Sequence, residues 1–327
     1  MTLTPYIRAM GRGPSRARSL SRDEARDAMR IILSGDAAPE AVGALLMLLR
    51  YRGEVPDEIA GFVEAFRELI DDRYAARADL DWPSYAAGRS RGLPWFLLSA
   101  KLVAQSGVRV LLHGWNSHQG AIASVQEALP VIDIPVASSL SDAGRLMDRH
   151  RISYLPLETF HPRGFELLKL RKVLGLRSAV NTVLRVQNPG GAASTVQGVF
   201  HPPYRELQIS AAERLSQPNA LIIKGGGGEF ERHPSKEISI YGLADGKQWR
   251  DRTPVLIEEH RRLSADELTR EDMARLWNGD ISDAFAESVI TGTAALALLA
   301  SGKSSTLAKA QSRAEALWAS RSQIQAA

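Results

Sequence analysis

The residues best suited to chemistry in this 327-residue chain are cations that recur close together. Between His161 and Arg185, six basic residues (Arg163, Lys169, Arg171, Lys172, Arg177 and Arg185) meet Glu166 alone. Seven arginines between Met1 and Arg30 meet only Asp23, Glu24 and Asp27. Arg89 and Arg91 sit between Gly88 and Gly92, and the run Gly225, Gly226, Gly227, Gly228 lies between Lys224 and Arg232. Bare backbone at glycine can approach a ligand closely, and clustered Lys and Arg attract phosphate or a longer polyanion. The formal charge is only +4, so the distribution of cations carries this expectation rather than their total.

Other chemistries are excluded. The chain has no Cys, which removes disulfides, thiol catalysis and Cys-based zinc sites. None of the seven His lie at the i, i+4 spacing of a helical metal site. Ser301-Gly302-Lys303-Ser304 imitates the end of a P-loop, but Ala297 stands where the earlier Gly is required and a helix precedes it. The apolar stretches Ala41 to Leu49 and Ala294 to Ala300 fall short of the ~20 residues that span a bilayer. The basic N-terminus has no apolar stretch behind it, so it does not read as a secretory signal. A cytoplasmic protein without a membrane partner is expected.

The elements that would position these cations fall into two groups. Residues 1–76 read as a small helical domain. Ser21 to Glu24 forms a capping box, Pro39 opens a second helix ending near Gly53, and Pro56 with Asp57 and Glu58 opens a third. In residues 77–327, β-rich runs alternate with helical ones: Val108–His113, Ile152–Leu157, Val196–Phe200, Ala220–Lys224 and Ile238–Tyr241 read as strands, with helices between several of them. That alternation predicts an α/β domain with a mostly parallel sheet flanked by helices, hinged to the helical one. From Ala265 the chain returns to helix.

The stretch from His161 to Pro189 resembles the anthranilate phosphoribosyltransferase family (glycosyltransferase family 3). It matches the pattern HP-x(8)-R-x-x-LG-x-R-x-x-x-N followed by NP at His161, Pro162, Arg171, Leu174, Gly175, Arg177, Asn181, Asn188 and Pro189. Leu20 to Arg67, the His113-Gly114 strand end and Val196 to Pro202 line up in order, so the resemblance spans roughly residues 20 to 320. It implies a helical domain completed by helices near 161–183, a homodimer formed through that domain, and a cleft for phosphoribosyl pyrophosphate, magnesium and an aromatic acid. Arg171 matches the residue that holds the acid's carboxylate. His113, Asn116, His161, Arg171 and Asn181 together are the expected remnant of the substrate pocket.

Three departures bear on function. Where the family has its Gly-Thr-Gly-Gly-Asp pyrophosphate loop, Gly88 to Trp95 is matched here, with Arg89 and Arg91 in place of small residues. After His113-Gly114 comes Trp115 rather than Asn. At the family's Asp-Gly-Leu-Asp-Glu, only Glu231 survives as a carboxylate, a poor magnesium site, and the glycine run reads as a mobile cationic lip. With Asp81 to Tyr85 and the Gly-Leu-Pro-Trp segment, this looks like the family's DNA-binding paralogues.

The expectation is therefore a phosphoribosyltransferase fold without efficient transfer and without a cofactor. Such a protein would bind DNA or RNA non-specifically through Arg89, Arg91, Arg163, Lys169, Lys172, Lys224 and Arg232. Whether it is an enzyme stays open. One alternative is a transferase of phosphoribosyl groups to an aromatic acid, as in tryptophan biosynthesis, which would need magnesium and phosphoribosyl pyrophosphate. The other is a non-catalytic aromatic-acid sensor.

Overall fold

In a computed structural model, residues 2–13, 15–85, 91–115, 122–264 and 268–321 are described. Four helices come first: α1 (Thr4–Gly11), α2 (Arg22–Ser34), α3 (Pro39–Arg52) and α4 (Pro56–Arg67). The Ser21 capping box is formed, Oγ accepting from the Glu24 amide at 3.2 Å and the Glu24 carboxylate accepting from the Ser21 amide at 2.9 Å. Glu58 is fully buried, and its two oxygens accept from the amides of Leu20 and Val55, both at 2.9 Å. One carboxylate thus ties the entry of α2 to the start of α4. The arginine-rich segment before Ser21 includes α1, whose Met10 is buried.

The second region contains β1 (Leu80–Ser84), α5 (Phe96–Gln105), β2 (Val110–Gly114), α6 (Val125–Ala128), α7 (Leu140–His150) and β3 (Ile152–Pro156). The chain then leaves the sheet for α8 (Leu157–Phe160), α9 (Pro162–Lys169), α10 (Arg171–Leu174) and α11 (Val180–Val186). It returns through β4 (Ser194–Val199), α12 (Tyr204–Arg214), β5 (Asn219–Lys224), β6 (Ile238–Ala244) and β7 (Lys247–Thr253), and ends in α13 (Glu271–Asn278), α14 (Ala284–Ala300) and α15 (Leu307–Ser320).

The sheet order is β3-β2-β1-β4-β5-β6-β7, parallel from β3 to β5 and antiparallel at β6 and β7. Strand order therefore reverses between β1 and β4, which opens a crevice outside their carboxyl ends. The excursion from α8 to α11 packs onto the helical domain: Leu167, Leu168, Val180, Val183 and Leu184 share one core with Met29, Leu45 and Phe62. Tyr85, directly after β1, belongs to that same core, so the crevice lies where the two regions meet.

Two strands escape sequence reading. β1 carries Asp81 and Pro83, residues that argue against a central strand. It pairs with β2 along its length but with β4 only at Leu80 and Asp81, so the amide that Pro83 lacks is not needed on that side. β7 is polar and exposed, as suits an edge strand that must not recruit further strands. α14 is buried on nearly all faces, which explains its unbroken apolar run. No described helix is long and apolar enough to cross a membrane.

Candidate functional site

At the carboxyl ends of β1 and β2, a buried polar chain runs back into the sheet. Tyr85 Oη lies 2.9 Å from His113 Nδ1, His113 Nε2 lies 3.1 Å from Asp81 Oδ1, and Thr195 Oγ1 donates to Asp81 Oδ2 at 2.8 Å. Burial above all pushes the Tyr85 phenol well above its ordinary pKa. The phenol therefore stays protonated and donates to Nδ1, leaving the Nε2 proton to face Asp81. His113 thus spends both ring nitrogens inside the fold. Tyr85, not a glycine, immediately follows the strand.

Arg185, on α11, enters from the helical side. Its guanidinium donates to the main-chain oxygens of Tyr85 at 2.7 Å and Asn181 at 3.1 Å. Burial lowers its pKa, and the nearby Glu229 carboxylate is the largest opposing influence. Beyond Arg185 opens a pocket between α3, α11 and the β4–α12 turn, lined by Arg50, Arg177, Asn181, Tyr204 and Gln208 among others. Arg50 donates to Tyr204 Oη at 2.9 Å, and that hydroxyl donates to Glu54 at 3.3 Å. Arg177 has no hydrogen bond or ion pair among the described residues. Burial, and then Arg171, Arg185 and Arg50 in turn, push its pKa down to about 10. The arrangement is a guanidinium cluster short of counter-charge, which an anion would complete.

The residues expected to contact phosphate or nucleic acid scatter. Arg163 donates to the carbonyls of Leu33 and Ile32 at the end of α2 and pairs with Glu166. Arg232 is fully buried, donating to the Pro254 carbonyl and to Gln311, with its pKa pushed down to about 10 by burial. Lys169 and Lys172 are exposed on and after α9, Lys169 lying 4.5 Å from the Phe165 ring centroid, and Lys224 is exposed at the end of β5. Arg91 is exposed. Arg89 lies outside the described residues.

Of the expected substrate pocket, Asn181 lines the guanidinium cleft and Arg171 contributes charge to it. His161 instead caps α9, accepting from the Gly164 amide at 2.9 Å and donating to the Phe66 carbonyl at 3.1 Å while stacked on the Phe66 ring. Asn116 lies outside the described residues. Trp115 packs edge-on against Phe165, 5.4 Å between centroids, and joins the helical core. Leu93 and Trp95, matched to the pyrophosphate loop, are buried in the sheet's own core.

Two glycines of the run make close backbone contacts. Gly225 donates to the Val199 carbonyl at 3.2 Å and Gly226 to the Glu231 carbonyl at 3.2 Å. A Cβ on Gly225 would come within 1.8 Å of the Glu229 carbonyl oxygen, and one on Gly198 within 2.0 Å of the Glu229 carbonyl carbon. Sequence reasoning counted Arg177 and Arg185 as local charge but missed Arg50, Tyr204 and Gln208. No local signal joins Arg50 to a tyrosine 154 residues away.

Residues 4–70 match the glycosyl transferase family, helical bundle domain. The anthranilate phosphoribosyltransferase of Moorella thermoacetica is 30% identical over 315 residues, covering 90% of this chain and 89% of the relative. That of Rhizobium rhizogenes is 30% identical over 302 residues, covering 88% and 86%. The chain belongs to the anthranilate phosphoribosyltransferase family. The crystal structure of the family's Thermus thermophilus member superimposes with a TM-score of 0.76 at 23% identity, covering 99% of both chains. That of the Saccharomyces cerevisiae member, in complex with PRPP and Mg, gives 0.76 at 18% identity, covering 99% of this chain and 95% of that one.

The one carboxylate that the family resemblance leaves for magnesium, Glu231, does not suit it here, nor does its neighbour Glu229. Glu231 is fully buried and accepts from the Phe96 amide at 3.1 Å, and Glu229 is buried beside Arg185. Among the described residues no group of three or more acids and histidines is placed to hold a metal. A hard dication asks for several converging oxygens, and this loop turns its acids inward.

Proposed function

We propose that this chain acts as an anthranilate phosphoribosyltransferase-like protein whose crevice between β4, α11 and α3 seats an anionic acceptor such as an aromatic acid. The observation that carries the proposal is Arg177, a half-buried guanidinium without a partner among the described residues, close to Arg50, Arg171 and Arg185. A planar carboxylate would meet a guanidinium fork in two-point geometry and relieve the mutual repulsion. The relatives, with identity extending along nine-tenths of the chain, support phosphoribosyl transfer as the reaction class.

The test is a transfer assay with phosphoribosyl pyrophosphate, magnesium and anthranilate, following the acceptor's fluorescence. Turnover that falls in Arg177→Gln supports the proposal in full. Saturable binding without turnover reduces it to the sensor form. Neither turnover nor binding of any small anion would discard it.

A second reading, non-specific nucleic-acid binding, is favoured by Lys169, Arg171, Lys172 and Lys224. All four are exposed and make no ion pair among the described residues. Such contacts grip phosphates without reading bases. Fluorescence anisotropy with labelled single- and double-stranded DNA across a salt series tests it: affinity should fall steeply with salt, and absence of binding at low salt would remove it.

A further inference from the structure

We propose that the arginine pocket is built for a phosphate-type dianion, and that Arg177 and Arg185 supply without metal the charge that a divalent cation would otherwise provide. This rests on the anion-pocket reading above but replaces its aromatic-acid occupant with a phosphate-type one. Three guanidiniums (Arg50, Arg177 and Arg185) line it, and a fourth, exposed Arg171, lies near enough to lower the pKa of Arg177. The nearby acids are Glu54, reached through Tyr204, and Glu229, beside Arg185. Burial raises the pKa of Glu54, which weakens it further as a counter-charge. Four cations against at most two anions leave two positive charges, one more than a monocarboxylate neutralises and the number a phosphate monoester carries.

The other features agree. Arg185 is held rigidly by the Tyr85 and Asn181 carbonyls, so its charge is preorganised, as a bound ion's would be. Gln208 is buried, lines the pocket, and its side-chain amide makes no hydrogen bond among the described residues. The orphaned buried atom is the acceptor Oε1, so only the Nε2–H end of this amide could donate to a phosphate oxygen. Glu231 is fully buried and accepts from the Phe96 amide, so in that loop Glu229 is the acid whose charge reaches the cluster.

The experiment is isothermal titration calorimetry of the full chain with inorganic phosphate, once in EDTA and once with magnesium, with benzoate as the monocarboxylate probe. Phosphate should bind in EDTA, no tighter with magnesium, and better than benzoate. Arg177→Gln should weaken phosphate roughly 10- to 100-fold, the scale of losing hydrogen bonds to a charged group. Because Arg177 makes no bond among the described residues, its variant should unfold at the same temperature as the parent or higher when phosphate is absent. Arg171→Gln, at an exposed position, should weaken binding less.

Phosphate binding that requires magnesium, or benzoate binding with no phosphate binding, would overturn the inference and leave the arginine pocket standing as an anion site. Phosphate binding unchanged in both variants would overturn it by placing the anion elsewhere. Failure of both anions to bind would take the pocket reading down as well.

Discussion

The Arg185 guanidinium and the Tyr85 carbonyl oxygen lie 2.7 Å apart across 100 residues of chain, fastening α11 to the end of β1. This bond joins the helical domain to the sheet at the crevice where strand order reverses, so stability and ligand binding share a residue there.

Removing Arg185 should therefore be expensive. Arg185→Met removes a buried cation that feels the Glu229 carboxylate and leaves two carbonyls without their guanidinium donor, a loss of about 1–3 kcal/mol for each. The double variant Arg185→Met/Glu229→Gln should recover part of that loss. Urea denaturation of the four proteins measures it, and additive losses would mean that the two groups do not interact.

Tyr85→Phe tests the buried polar chain. It leaves His113 Nδ1 without its donor in a fully buried position, which costs about 1–3 kcal/mol. Equilibrium unfolding at neutral pH should report that loss; a change within a few tenths of a kcal/mol would show that the imidazole finds another partner.

His161 should make stability depend on pH. Burial depresses its pKa, so the folded state holds it neutral while the unfolded chain protonates near its ordinary value of about 6.5. Below that pH the unfolded state binds more protons, and stability falls as pH drops toward the depressed folded value. Burial depresses His233 as well, in the same direction. His161→Asn keeps a capping acceptor for Gly164 and should flatten the profile of urea midpoint between pH 7.5 and 5.5. An unchanged slope would assign the effect to His233.

Gly198→Ala should damage the glycine loop. The new Cβ would meet main-chain atoms of Glu229 and Phe230, which cannot rotate away, so overpacking should cost about 1–3 kcal/mol or more. A melting temperature equal to the parent's would show that the loop can step back, restoring the mobile-lip picture.

What the sequence determined by itself was local or periodic. The Ser21 and Glu24 cap, the Pro-initiated helices and the alternation of strands with helices follow from backbone geometry and side-chain spacing within a few residues. The offsets from His161 to Pro189 carried the family. Tertiary structure alone decided which cations are available. Arg163, Arg177 and Arg232 are one residue type, yet Arg163 caps a helix, Arg232 is spent on the Pro254 carbonyl, and Arg177 has no partner among the described residues. It also decided that Pro83 could sit in a central strand, because β4 stops pairing before reaching it. A charge counted along the chain says nothing of the carbonyls and acids that folding brings to it from over a hundred residues away, and those partners determine whether a guanidinium holds the fold together or awaits a ligand.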